Sequence, residues 1–312
     1  MAGQVWQTSN LGGYMYSPNL SRKLRTALQP MVRFRQFCDA REAFGKGKGE
    51  AFNWNVFSDV ATGGGALAET DVMPETNFTI TQASLPVTEY GNSVPFTKKL
   101  NDLSEQPVTE IIHKVMKNDA RKALDTAAYN QFNAALLRVT PTGGNDPQAL
   151  DLNTVGVAPG TNNIAFGNLH AKTVADLLAE RDVPTFDGQN YMAIARPTTL
   201  RSFKDDLEAI HQYTGEGWQV IMNGEKGRYE GIRFCEQTNI ASQAWTNGQS
   251  DEIFFFGSDT VVEAISIPEE VRGKIPSDYG RSMGVAWYAL LGYGIVHTTA
   301  AQSRIIKWDS VA

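Results

Sequence analysis

Apolar and polar positions alternate along two stretches in the first third of this 312-residue chain. Phe52, Trp54 and Val56 alternate with Asn53, Asn55 and Phe57, and Phe78 and Ile80 alternate with Thr79 and Thr81, with Leu85 and Val87 following. A period of two predicts strands. Thr62-Gly63-Gly64-Gly65 lies between them as a flexible tip, so the pair predicts a long hairpin. Val94 to Leu100 predicts a further strand.

The period then lengthens to that of a helix. Val108, Ile111, Ile112, Val115, Ala120, Leu124, Ala127, Ala128 and Phe132 recur at helical spacing. Ser104 is a good N-cap, with Glu105 and Pro107 in the first turn. Neither glycine nor proline interrupts Val108 to Thr140, so the helix should run roughly 45–50 Å, as far as Pro141-Thr142-Gly143-Gly144. Beyond it, short strands are expected at Thr154–Ala158 and Asn163–Phe166. An amphipathic helix follows at Ala171–Arg181, then a buried strand at Tyr191–Ala195 and a helix opened by Pro197. Strands are also expected at Arg228–Glu236, Glu252–Phe256, Val285–Val296 and Arg304–Trp308. Asn19–Leu28 predicts a short helix within an otherwise extended N-terminal arm. The fold class is α+β.

Charge changes the picture because it is segregated. Residues 22–48 hold eight basic residues, Arg22, Lys23, Arg25, Arg33, Arg35, Arg41, Lys46 and Lys48, against Asp39 and Glu42, a local net of +6. From Glu50 to Thr97 there are six acids, Glu50, Asp59, Glu69, Asp71, Glu75 and Glu89, and no lysine or arginine. The whole chain is −6, which argues against a coat that touches phosphates over its entire surface. An acidic hairpin with a mobile tip needs another surface to lie on, and a bare one invites uncontrolled edge pairing. The expected contact is therefore between subunits: Arg33, Arg35 and Arg41 of the arm against Asp59, Glu69, Asp71 and Glu75 of a neighbour's hairpin. The alternative partner for the arm is nucleic acid, through Arg33, Phe34 and Arg35.

Catalytic and metal chemistry is weakly represented. Gly280-Arg281-Ser282-Met283-Gly284 matches a nucleophile elbow, which makes a serine hydrolase the alternative function. However, Ile275 to Tyr279 is not the strand that an elbow requires, and the acid and histidine that follow, Asp309 and His297, are in reverse order. Asp205, Asp206, Glu208 and His211 at one helix end could meet an ion, but a solvated helix face explains them better. The glycines of 215–217 and 224–227 match no phosphate loop. No catalytic residue, metal or cofactor is expected. The two cysteines, Cys38 and Cys235, imply no disulfide scaffold. No signal pattern and no membrane span are present.

In this order the parts resemble the tailed-phage major capsid proteins of the Hong Kong 97 type, closest to the coat-protein branch of short-tailed podophages. The resemblance runs from about Gly49 to the C-terminus. Its specific stretches are Val87 to Ser93, Asp119 to Phe132, Tyr191 to Pro197 and Gly224 to Phe234. It implies an arm at 1–49, an extended loop at 50–100 and a peripheral domain with a spine helix at 101–166. An axial domain at 167–284 and a return to the peripheral domain at 285–312 complete it. It implies pentamers and hexamers of an icosahedral head enclosing double-stranded DNA, in a virion assembled in the host cytoplasm. Implied partners are the subunit itself, a portal, packaged DNA on the inner face and, in some heads, a decoration protein. Some relatives carry a fused scaffolding domain of about a hundred residues. Only some 50 residues precede the hairpin here, so a separate scaffolding protein is expected.

Other relatives crosslink a loop lysine to a neighbour's asparagine. This loop has no lysine, so shells should mature without covalent links. Denaturing gels of mature particles should show one band near 34.2 kDa. A ladder of multiples surviving boiling and reductant would mean that another lysine has taken over that role.

Overall fold

The structure is a computed structural model that describes residues 30, 32–43, 47, 49–60, 64–142, 149–156, 164–211, 228–241, 251–276 and 278–310. The expected helix at Asn19–Leu28 and the glycine runs at 215–217 and 224–227 lie outside these residues.

Two sheets are built around one long helix. Strand β1 (Ala40–Ala43) is followed by the hairpin strands β2 (Ala51–Phe57) and β3 (Ile80–Pro86), then by β4 (Thr88–Thr97). A short helix α1 (Lys98–Leu103) leads into the spine helix α2 (Val108–Asn133). After β5 (Leu137–Pro141) and β6 (Leu150–Asn153) come helix α3 (Asn168–Glu180), strand β7 (Tyr191–Ala195) and helix α4 (Arg201–His211). The remainder is strand: β8 (Arg228–Tyr229), β9 (Ile232–Glu236), β10 (Asp251–Phe256), β11 (Val261–Gly273), β12 (Ser282–Ile295) and β13 (Ile305–Ser310). One sheet has the order β1-β11-β12-β4, another the order β6-β5-β13-β10-β7-β9-β8, and β2 and β3 form a separate pair.

The period-two logic explains how one helix serves both sheets. Along β10, Phe254 and Phe256 pack with the spine, while Ile253 and Phe255 point to the opposite face, where Phe166, Val174, Leu178, Leu200 and Phe203 cover them. A strand buried on both faces reads as a continuous apolar run, which is what Ile253 to Phe256 is. Along β12, Val285, Trp287, Ala289, Leu291 and Tyr293 alternate onto the spine side. The spine answers with Val108, Ile112, Met116, Ala120, Leu124, Ala128 and Phe132.

A buried ionic cluster ties the end of the spine to the larger sheet. Lys307 Nζ lies 2.5 Å from Glu252 Oε1 and 2.7 Å from Asn133 Oδ1, and the Tyr129 hydroxyl donates to Glu252 Oε2 at 3.0 Å. Arg138 reaches Asp309 Oδ2 at 3.0 Å. Burial raises the Asp309 carboxyl above its usual range, against the opposing pull of Lys307 and Arg138, and burial beside Glu252 raises the Tyr129 hydroxyl.

Several boundaries differ from expectation. The spine has 26 residues, about 39 Å, and stops at Asn133 instead of Thr140. Nothing in Ala134 to Thr140 breaks a helix, but Leu137 to Val139 gain a parallel ladder with β13, and tertiary pairing overrides propensity. Ser104 caps the end of α1, its hydroxyl accepts the Gln106 N–H at 3.1 Å, and Pro107 holds the spine's N-cap position. Lys98 to Leu100 are helical, not strand. The strand expected at 154–158 is Leu150–Asn153, and Ile164 to Phe166 are not strand. Arg228–Glu236 is two strands around Glu230 and Gly231, both at positive φ, the backbone of a tight hairpin turn.

Leu124 is fully buried between the sheets. Leu124→Ala should cost about 2–5 kcal/mol and lower the melting temperature accordingly. Unchanged melting would place this face of the helix outside the core.

Candidate assembly interface

The extended hairpin is anchored only at its base. On β2 the side chains of Phe52, Trp54 and Val56 are half-buried while those of Ala51, Asn53, Asn55 and Phe57 are exposed. On β3 only Ala83 and Leu85 are buried. The Trp54 indole N–H donates to the Val296 carbonyl at 3.0 Å, and Leu85 packs with Val262, Ala264 and Val296. Two glycines on β12 make room for this base. A Cβ on Gly292 would lie 2.7 Å from the Pro86 carbonyl oxygen, and one on Gly294 would lie 3.2 Å from the Leu85 side chain.

Every described residue from 64 to 82 is exposed. Val72 is 90% exposed, Met73 72% and, at the end of β2, Phe57 76%. Exposed apolar residues in this number on one projection mark a surface that expects a partner. The acids predicted for contact lie on the same projection. Asp71 Oδ2 accepts the Ala68 N–H at 2.8 Å and Asp59 Oδ1 accepts the Val60 N–H at 2.7 Å. Among the described residues, no ion pair reaches Asp59, Glu69, Asp71 or Glu75.

The basic arm is placed differently from the expectation of a free segment. Residues 32–43 are stitched into their own body, with Phe34 fully buried against Tyr129, Phe132 and Phe254. Phe37 is buried as well, against Phe186 and Phe256, so two aromatic anchors hold the segment without any periodic pattern. Arg35 Nε pairs with Glu263 Oε1 at 2.7 Å, Arg35 also meets Glu269, and the Tyr293 hydroxyl donates to Glu263 at 2.8 Å. Burial disfavours the Arg35 charge, but Tyr293, Glu269 and Glu263 outweigh it and its pKa rises. The Arg35 amide donates to Asp125 Oδ1 on the spine, and Gln237 and Asn239 donate to Asp125 Oδ2. The Arg33 amide donates to Gln237, and β1, which contains Arg41, pairs in parallel with β11. Arg35 therefore serves its own chain, and among the described residues no ion pair joins it or Arg33 to the loop acids.

Among the described residues the hydrolase chemistry of the 280–284 motif is not assembled. Ser282 begins β12 and accepts a 2.7 Å hydrogen bond from Lys274, while His297 lies past the other end of that strand, roughly 45 Å away. Asp206 Oδ2 accepts the Asn168 N–H at the start of α3, and the side chains of Glu208 and His211 lie outside the described residues. Among the described residues no cluster is suited to hold a metal ion and no helix is long and apolar enough to cross a membrane. Sequence reasoning missed Gly292, Gly294, Asp125 and Glu263. The glycines carry a legible signal, because glycine inside an apolar strand marks close backbone approach.

A spine helix between two sheets, with an uncovered loop projecting from one of them, defines a Hong Kong 97-like shell subunit. The profile of the Phage capsid family matches residues 12–258, and the chain belongs to that family. Solved structures agree on the fold. The capsid of cyanophage Pam1 superposes with a TM-score of 0.68 at 15% identity, over 100% of both chains. That of cyanophage P-SCSP1u gives 0.67 at 11% identity, over 95% of this chain and 93% of the other. The capsid of Ralstonia phage GP4 gives 0.64 at 13% identity, over 95% of each. No curated protein matches the sequence.

Gly292→Val forces a side chain against the Pro86 carbonyl and Leu85. It should cost about 1–3 kcal/mol and speed proteolytic cutting within 50–86 as the loop base lifts. Cutting and melting identical to the parent would show that the base does not rest on β12.

Proposed function

We propose that this capsid protein builds the shell of a tailed-phage head as pentamers and hexamers enclosing double-stranded DNA. The observation that carries this reading is the loop: a self-sufficient body projects an acidic, apolar surface that its own chain leaves bare. Overlap between neighbours would cover it, and many modest contacts repeated around a closed shell add through multivalency. The arm at 1–49, loop at 50–100, peripheral residues at 101–166, axial residues at 167–284 and return at 285–312 would divide that labour. Of the arm's predicted contact residues, Arg35 is paired within its own subunit, so the arm's contact with a neighbour's hairpin would fall to Arg33 and Arg41. A portal, a separate scaffolding protein, packaged DNA and in some heads a decoration protein would be partners, with assembly in the host cytoplasm. The role is structural and not enzymatic, which the separation of Ser282 from His297 supports.

Negative-stain imaging of the expressed full chain should show closed shells or five- and six-membered rings. A protein that stays monomeric at every concentration would contradict the proposal.

A further inference from the structure

Asp39 is one of only two acids in the basic stretch 22–48, an exception that a basic contact surface does not explain. It lies between the buried Phe37 and strand β1, and its carboxylate turns towards residues 257–260, the connection that joins β10 of the larger sheet to β11 of the smaller. Asp39 Oδ1 accepts the Thr260 N–H at 3.1 Å, and Oδ2 accepts the Asp259 N–H. A line of hydrogen bonds continues from there. The Thr260 carbonyl accepts the Val296 N–H at 3.0 Å, and the Val296 carbonyl accepts the Trp54 indole N–H at 3.0 Å. Trp54 belongs to the loop base, so the line runs from the arm, through the turn and the residue after β12, to the extended loop.

The turn is the weak member of this line. Asp259 sits at φ 54°, a left-handed backbone that a residue other than glycine keeps only where its surroundings hold it. Asp39 supplies two of those holds. On the other side the Asp259 carboxylate meets His297 Nε2 at 3.5 Å and Arg304 at 3.4 Å. His297, opposed by burial and helped by Arg304, keeps that carboxyl below its usual range. An open cavity of about 360 Å³ lies between these groups and Trp54, Val56 and Phe57 of the loop, so the base has little packing there to replace a lost bond.

We propose that Asp39 is a latch that couples the arm to the loop: the loop base is firm only while residues 32–43 are seated. With the arm lifted, the buried Thr260 amide loses its acceptor, and an unsatisfied buried donor is costly. The turn relieves that cost by relaxing at Asp259, which carries Thr260 and the Val296 peptide out of line with Trp54. This deepens the shell reading, since the arm would then set the posture of the surface offered to a neighbour, but the latch itself works within one subunit.

The test therefore uses unassembled full-length subunits. Asp39→Ala, Trp54→Phe and the double variant are compared with the parent by melting and by the rate of proteolytic cutting within 50–86. Asp39→Ala should speed cutting about fivefold, the loss of one net hydrogen bond, with melting close to the parent's. Trp54→Phe keeps an aromatic ring but loses the indole N–H, and should have a similar effect. The double variant should be cut little faster than either alone, because the line is broken only once. Asp39→Asn keeps one acceptor of the two and should fall between parent and Asp39→Ala, and it carries the same comparison if Asp39→Ala does not fold. Parental cutting in Asp39→Ala, or effects that multiply in full in the double variant, would overturn the latch. Cutting that rises only as far as a fall in melting accounts for would overturn it too, as a general loss of stability. A parent that never assembles would contradict the shell reading and leave the latch standing.

Discussion

One helix has to fill the space between two sheets, and most of the fold follows from that demand. Ile112, Met116, Ala120, Leu124, Ala128 and Phe132 of the spine share one core with Val285, Trp287 and Leu291 of β12 in the smaller sheet and Phe254 and Phe256 of the larger. The buried face of the helix widens towards the C-terminus, where even Asp125 and Tyr129 are enclosed. Those polar groups are satisfied by the arm segment and by Glu252, so the helix end is fixed by directional bonds as well as by packing. The Lys307–Glu252 contact belongs to the same network. Its value lies less in net stability than in leaving a single way to seat the helix on the sheet, since a buried charge without its partner is costly.

The body so formed leaves two surfaces unsatisfied, and they are of opposite character. The loop shows acids and apolar side chains, held out from the sheet by a base that two glycines admit closely. The outer face of the spine shows cations. The spine's opposite face is buried in the core, and the loop is held to the body only by its base. Opposite charge on two exposed surfaces of one subunit suits association between copies. Exposed charge pairs are individually worth little, so such association depends on repetition and stays sensitive to salt.

Much of this was legible in the residues. The alternation in β2 and β3, the helical spacing from Val108 to Phe132 and the apolar run of β10 each define an element, because each buries a face with a fixed period. The ordering of parts carried the resemblance to the capsid family. What was not legible was long-range. The end of the spine at Asn133 is decided by a parallel ladder with residues some 170 positions away, and no local breaker marks it. The packing of residues 32–43 was hidden because two phenylalanines, Phe34 and Phe37, and not a periodic stripe, anchor them. Arg35 read as a contact residue because Glu263 and Glu269, its partners within the chain, come more than 200 residues later. The charge segregation was real, but which cations stay free depends on the fold.

The described residues from 64 to 79 are all exposed in the single subunit, and in the proposed shell a neighbour would cover them. Amide hydrogen exchange measured on free subunits and on assembled shells tests this directly. In free subunits the loop beyond β2 should exchange at nearly unprotected rates while β10 and the spine are strongly protected, and assembly should slow the loop with little change in the core. Loop amides already protected in the free subunit, or equally fast in both states, would contradict the claim.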